Sequence, residues 1–123
     1  MKVNANDFGI CGVEQLFCAG TIAFDTEGAS DGVVLAELPN NVFITRAVAA
    51  VDKAFSAGKI TVGVNEAAND VLGENDVTPT TAGNYSKEVF VKGATGAKIK
   101  AKLTGTASAG SADIYIFFVS IPD

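Results

Sequence analysis

The residues best suited to chemistry in this chain are acidic, and most of them lie close together. Residues 65–79, NEAANDVLGENDVTP, contain Glu66, Asp70, Glu74 and Asp76. Carboxylate and amide oxygens are the ligands that Ca²⁺ prefers, but this spacing matches no EF-hand loop. We therefore expect a solvated loop with at most one helical turn at residues 67–72. A bound calcium ion is the less favoured alternative.

The sequence contains no recognisable catalytic set. A carboxylate pair for glycoside hydrolysis could come from the acidic loop or from Asp25, Glu27 and Asp31, but nothing in the sequence places two of them at a catalytic distance. The chain has no histidine, so the commonest general base and metal ligand is missing. Serine and threonine hydroxyls need such a base to become nucleophiles. We predict that the protein is not an enzyme and holds no cofactor or metal.

The charge balance argues against nucleic acid as a partner. The net charge is −5, from 14 acidic and 9 basic side chains, and the single arginine is Arg46. A phosphate-binding surface requires the opposite balance. The row Lys98, Lys100 and Lys102 could hold an acidic partner, but we favour a solvated face that also discourages edge-to-edge pairing of strands.

Neither a signal peptide nor a membrane span is expected. The first residues have no apolar core of signal-peptide length, and no apolar run reaches about 18 residues. We expect synthesis in the cytoplasm and no membrane partner. Cys11 and Cys18 have six residues between them, which is neither a redox CxxC nor a zinc-ligand pair. Two free thiols are the favoured state in that compartment.

Alternation of apolar and polar residues predicts an all-β chain of one domain. The clearest strand is residues 97–104, in which Ile99, Ala101 and Leu103 point one way and the three lysines point the other. Further strands are predicted at residues 21–25, 33–38, 59–65, 87–92 and 113–121.

Residues 42–55 fit two periods. Val48, Val51 and Phe55 would share one stripe of a helix, whereas a period of two predicts a long strand. A helix would follow a β-favouring run directly, without a good cap. We therefore predict a strand at residues 42–53 and a hairpin connection at residues 55–58. The expected fold is an antiparallel, jelly-roll-like β-sandwich at residues 20–123, preceded by an extended amino-terminal arm at residues 1–19.

The carboxy-terminal strand is apolar on both faces. Ile114, Ile116 and Phe118 form one face, so the opposite face needs a second cover. That cover is either the amino-terminal arm, which also carries Ile10 and Leu16, or a second subunit. The subunit interface that we predict consists of Tyr115, Phe117, Val119, Ile121, Phe8 and Phe17.

Residues 38–63 contain a series of short motifs, which are Leu38-Pro39, Ile44-Thr45-Arg46-Ala47, Val51-Asp52 with Ala54-Phe55, and Ile60-Thr61-Val62-Gly63. This series resembles small structural proteins of tailed-bacteriophage virions. In those proteins a proline turn leads into a long strand, a hairpin and a TVG-like strand of a jelly roll. The resemblance carries over no catalytic or binding residue.

The resemblance implies a capsid decoration (cement) protein, a head-fibre base or a related virion component. Such a protein would be made in the host cytoplasm and located in the virion. It would act as a homo-oligomer, a trimer by the same resemblance, docked on a major capsid or other virion protein. The alternative is a glycan- or receptor-binding β-sandwich module, which is weakened by the absence of tryptophan and by having only Tyr85 and Tyr115 as tyrosines.

Overall fold

A computed structural model describes residues 14–38, 40–64 and 69–120. These residues form β-strands and no helix, in agreement with the all-β prediction. The strands are β1 (Glu14–Ala23), β2 (Val33–Glu37), β3 (Val42–Lys53), β4 (Lys59–Gly63), β5 (Gly83–Gly93), β6 (Lys98–Thr104) and β7 (Ser111–Ser120).

The strands build two antiparallel sheets. One has the order β1-β7-β3-β5 and the other the order β2-β6-β4. Consecutive strands therefore alternate between the sheets, and each connection crosses from one sheet to the other. The predicted antiparallel β-sandwich is confirmed.

The strand at β3 is confirmed over its full predicted length, and the helical alternative is excluded. Val42, Ile44, Ala47, Ala49 and Val51 are buried against the other sheet. The alternation is interrupted between Ile44 and Ala47, where a β-bulge shifts the register against both neighbouring strands, and a second shift against β7 lies at the end of β3, between Val51 and Lys53. Such a bulge allows two successive side chains to face outward while the rest of the strand keeps its buried face.

The predicted hairpin between β3 and β4 is wrong. These two strands lie in different sheets, so residues 54–58 cross the edge of the sandwich. Phe55 is only 2% exposed, and its backbone N–H donates to the carbonyl of Pro79 at 2.8 Å. The chain therefore places Phe55 in the core at this point, which a tight turn between paired strands would not allow.

β6 and β4 differ in how many of their faces are buried. Ile99, Ala101 and Leu103 of β6 face the core, so its lysines point outward as predicted. β4, however, is buried on both faces from Ile60 onward. Leu72 exchanges backbone hydrogen bonds with Val62 and so covers the free edge of β4.

The four-stranded sheet includes residues that precede the first predicted strand. β1 starts at Glu14, so residues 14–19, which we had assigned to the arm, pair with β7. A register shift between Cys18 and Gly20 divides this strand. Residues 1–13 lie outside the described residues.

Candidate interaction surface

The outward face of the four-stranded sheet carries the residues that we predicted at a subunit interface. On β7, Ala112, Ile114, Ile116 and Phe118 are buried, which leaves Tyr115, Phe117 and Val119 half-buried on the opposite face. The alternation of burial along the strand places these three side chains in one row. β7 is a central strand of its sheet, so the row runs along the middle of the face.

Side chains from both flanking strands extend this row. Leu16 of β1 pairs with Phe117, and Val48 of β3 pairs with Tyr115. These four residues line a shallow apolar depression of about 240 Å³. Leu16 is 60% exposed and extends the apolar row onto the edge strand β1. We name the outer strip the set Leu16, Val48, Tyr115, Phe117 and Val119.

The β-bulge of β3 brings a positive charge onto the outer strip. Arg46 pairs with Phe117, and its guanidinium carbon lies 5.5 Å from the centre of the Phe117 ring. This is the distance range of cation–π contacts. Arg46 also forms an exposed ion pair with Glu88 at 3.4 Å. Beside it, the hydroxyl of Thr45 donates to the carboxylate of Glu14.

The stacked rings of Phe43 and Phe90 extend the apolar surface to β5, the edge strand opposite β1. Phe43 pairs with Val119, and its ring stacks on Phe90 of β5 with centres 4.4 Å apart. Phe90 is 73% exposed. The apolar surface thus crosses the four strands from Leu16 to Phe90. Our sequence analysis missed Phe43 and Phe90, although the position of Phe90 between Glu88 and Lys92 at a period of two was a usable signal.

One residue of the predicted interface, Phe17, does not join the outer strip. Phe17 lies on the inner side of β1, where its ring meets that of Phe118 edge-on, with centres 6.3 Å apart. Phe17 and Leu16 are successive residues of a strand and so point to opposite faces. On β1, Leu16 rather than Phe17 therefore contributes to the outer strip. Phe8 and Ile121 lie outside the described residues.

An acidic pair borders the outer strip beyond Tyr115. The negative charge of Asp113, together with its hydrogen bond to Asp52, raises the pKa of Asp52 above its usual 3.8. Asp113 also accepts a hydrogen bond from the hydroxyl of Thr21 at 2.6 Å. The charges of Asp113 and then Cys18 raise the pKa of Tyr115 above 10.0. Two neighbouring carboxyl groups thus lie at this end of the face.

Two carboxylates of the predicted acidic loop, Asp70 and Asp76, accept hydrogen bonds from the backbone. Asp70 accepts a hydrogen bond from the N–H of Val64 at 2.9 Å. Asp76 accepts one from the N–H of Gly73 at 2.7 Å and forms an ion pair with Lys87 at 2.8 Å. The hydrogen bond from Lys87 is the main cause that lowers the pKa of Asp76.

The acidic loop forms no recognisable metal centre in the part that the structure describes. Within residues 14–38, 40–64 and 69–120, no three acidic or cysteine side chains converge as metal ligands do. Residues 69–72 are not helical, and Glu66 lies outside the described residues. None of the described segments contains a helix with the length and apolarity needed to cross a membrane.

Comparison with known proteins identifies a fold relative. Neither a protein-family model nor a curated protein matches the chain. Among solved structures, a chain of the cyanophage Pam1 capsid asymmetric unit is similar, with a TM-score of 0.65 and 12% sequence identity. The similarity covers 88% of this chain and 85% of that chain. At this identity the comparison establishes a shared fold over most of both chains.

Proposed function

We propose that this protein is a non-enzymatic structural component of a bacteriophage virion. Within that class it is a capsid decoration (cement) protein or a related assembly component. It acts as a homo-oligomer, a trimer in our proposal, that docks on a major capsid or other virion protein. The fold similarity to a chain of a phage capsid asymmetric unit supports this class, because it extends over nearly the whole of both chains.

The strand order supports the jelly-roll type. The orders β1-β7-β3-β5 and β2-β6-β4, with each connection crossing between the sheets, favour a jelly roll without one edge strand beside β4. The missing position is occupied by the short bridge between Val62 and Leu72. Jelly rolls of this kind are common in viral capsid domains.

The observation that carries the proposal is the outer strip. Aromatic residues and arginine are enriched at the centres of protein interfaces; the outer strip contains Tyr115 and Phe117, and Arg46 lies over the Phe117 ring. Polar groups such as Glu14 and Glu88 surround it, as the rim of an interface does. Ile121 and Phe8, which follow and precede the described residues, belong to the same proposed contact.

The proposal is tested by locating the protein in purified particles. Cells that produce the virus would supply tagged full-length protein, and particles would be purified by density-gradient centrifugation. We expect the wild-type protein in the particle fraction at a fixed ratio to the major capsid protein. Phe117→Asp should remove it from that fraction, because an unpaired carboxylate at the contact opposes association.

A second variant serves as the matched control. Phe24 is 42% exposed on the turn after β1, away from the outer strip. Phe24→Asp introduces the same charge and should leave the protein on the particles. Particles that contain no wild-type protein would contradict the proposed function.

A further inference from the structure

The outward face of the three-stranded sheet carries a concentration of positive charge. On β6 the core side chains Ile99, Ala101 and Leu103 alternate with three outward lysines. Lys59 of β4 pairs with Thr104, which lies on the same outward face of β6. We name the basic face the set Lys59, Lys98, Lys100 and Lys102.

The positive charge of the basic face is poorly balanced by its neighbours. The face carries four of the nine basic side chains of the chain. Strand register places one acidic residue on it, Glu37, which pairs with Lys98. The ion pairs Arg46–Glu88 and Lys87–Asp76 involve none of these lysines. A strongly basic face therefore exists on a protein whose net charge is −5.

Protection of a sheet edge does not explain these lysines. We had interpreted the row on β6 as a device against edge-to-edge pairing, but β6 is the central strand of its sheet, so that interpretation is wrong. Like charges two residues apart on one strand repel each other, since they are only about 7 Å apart. A negatively charged partner would relieve this repulsion.

The composition of the basic face favours a protein partner over a nucleic acid. Val34 pairs with Lys100 and is 45% exposed, so an apolar side chain lies among the charges. Lys100 and Lys102 are themselves half-buried, which leaves their aliphatic stems on the sheet surface. β2, β4 and β6 contain no aromatic residue and no arginine. Stacking and bidentate phosphate contacts, on which nucleic-acid surfaces rely, are therefore missing from these strands.

We infer that the basic face docks on an acidic protein surface. This inference rests on the proposed function and deepens it. The basic face and the outer strip lie on opposite sides of the sandwich, so one side can contact sister subunits while the other contacts the lattice. Charge complementarity then sets the orientation of the protein on the lattice.

The test uses poly-L-glutamate as an acidic polypeptide probe and duplex DNA of equal total charge as the competing probe. Binding of the full chain to each would be measured by biolayer interferometry at low and high salt. We expect poly-L-glutamate to bind more tightly than DNA and to dissociate as salt is added. Lys100→Glu should weaken this binding about tenfold.

The control variant distinguishes the effect of the basic face on binding from the effect of net charge. Lys53 lies exposed at the end of β3 in the other sheet, and Lys53→Glu changes the net charge by the same amount. We expect Lys53→Glu to bind almost as well as the wild type. Equal losses in the two variants, tighter binding to DNA, or no binding to poly-L-glutamate would each overturn the inference.

Sedimentation of the same variants keeps this inference separate from the proposed function. Lys100→Glu should self-associate as the wild type does, because Lys100 is remote from the outer strip. If poly-L-glutamate fails to bind while the wild type still assembles on particles, the assignment of the basic face is wrong and the structural role stands.

Discussion

Arg46 lies over the ring of Phe117 because β3 contains one residue more than its partner strand at that point. Ile44 pairs with Phe118, and Arg46 pairs with Phe117, so Thr45 is the extra residue. A strand without this bulge would turn the side chain of Arg46 toward the core. The bulge thus keeps the only arginine of the chain outside and places it over Phe117 of the outer strip.

Gly110 is a position where a side chain would disrupt the core. Its φ is +131°, and a Cβ added there would overlap the Cγ of Phe55 and lie 2.6 Å from its Cα. Gly110→Ala should therefore lower the free energy of unfolding by about 3 kcal/mol. Gly28 also has a positive φ, but a Cβ there would meet nothing within 4 Å, so Gly28→Ala should cost only about 1 kcal/mol. Urea denaturation measures both, and equal costs would show that the contact with Phe55 is unimportant.

Asp76 stabilises the fold through its ionised form. Its pKa is lowered by Lys87, so its contribution is fully present above pH 3.8 and disappears as the pH falls through the lower folded-state pKa. Asp76→Asn should reduce the free energy of unfolding by about 1 kcal/mol near neutral pH. The difference from the wild type should vanish in strong acid. Denaturation curves at both pH values test this, and Glu74→Gln, in the same turn, should change neither curve.

Unlike Asp76, the neighbouring carboxyl groups of Asp52 and Asp113 lower the stability of the fold when both are ionised. The pKa of Asp52 is raised, so the folded state binds this proton more tightly than the unfolded state does. The repulsion is absent below pH 3.8 and develops as the pH rises through the folded-state pKa. Asp52→Asn should raise the melting temperature near neutral pH and leave it unchanged in strong acid. A lower melting temperature of the variant near neutral pH would show that the pair does not destabilise the fold.

Removal of divalent cations should have little effect. Asp70 and Asp76 already accept hydrogen bonds from the backbone of their own loop, so these oxygens have roles that need no metal. We expect the same melting temperature with and without a chelator. A decrease of more than a few degrees on chelation, reversed by calcium, would establish a cation site in the acidic loop.

Alternation predicted the strands that have one buried face and a regular register. β6 and the buried face of β7 are of this kind, and their inward residues were predicted correctly. β1 was largely missed because the shift between Cys18 and Gly20 interrupts its period. The first half of β5 was missed because its residues are mostly polar and exposed, so no apolar row marks it.

Features that depend on contacts between distant parts of the chain could not be predicted from the sequence. Whether residues 54–58 form a turn or cross between sheets depends on the burial of Phe55, which local sequence does not reveal. Phe17 could be assigned to a face only once residues 14–19 were known to belong to a strand. Within the outer strip, Tyr115, Phe117 and Val119 were predictable from β7 alone, whereas Val48 required the register of β3.

Self-association through the outer strip is the central claim of this account, and sedimentation equilibrium of the full chain tests it most directly. At tens of micromolar the wild type should sediment as an oligomer, with a trimer as the expected species. Phe117→Asp should be a monomer that keeps the far-ultraviolet circular dichroism of the wild type, and Phe24→Asp should remain an oligomer. A wild-type monomer at this concentration, or a Phe117→Asp variant that assembles normally, would contradict the account.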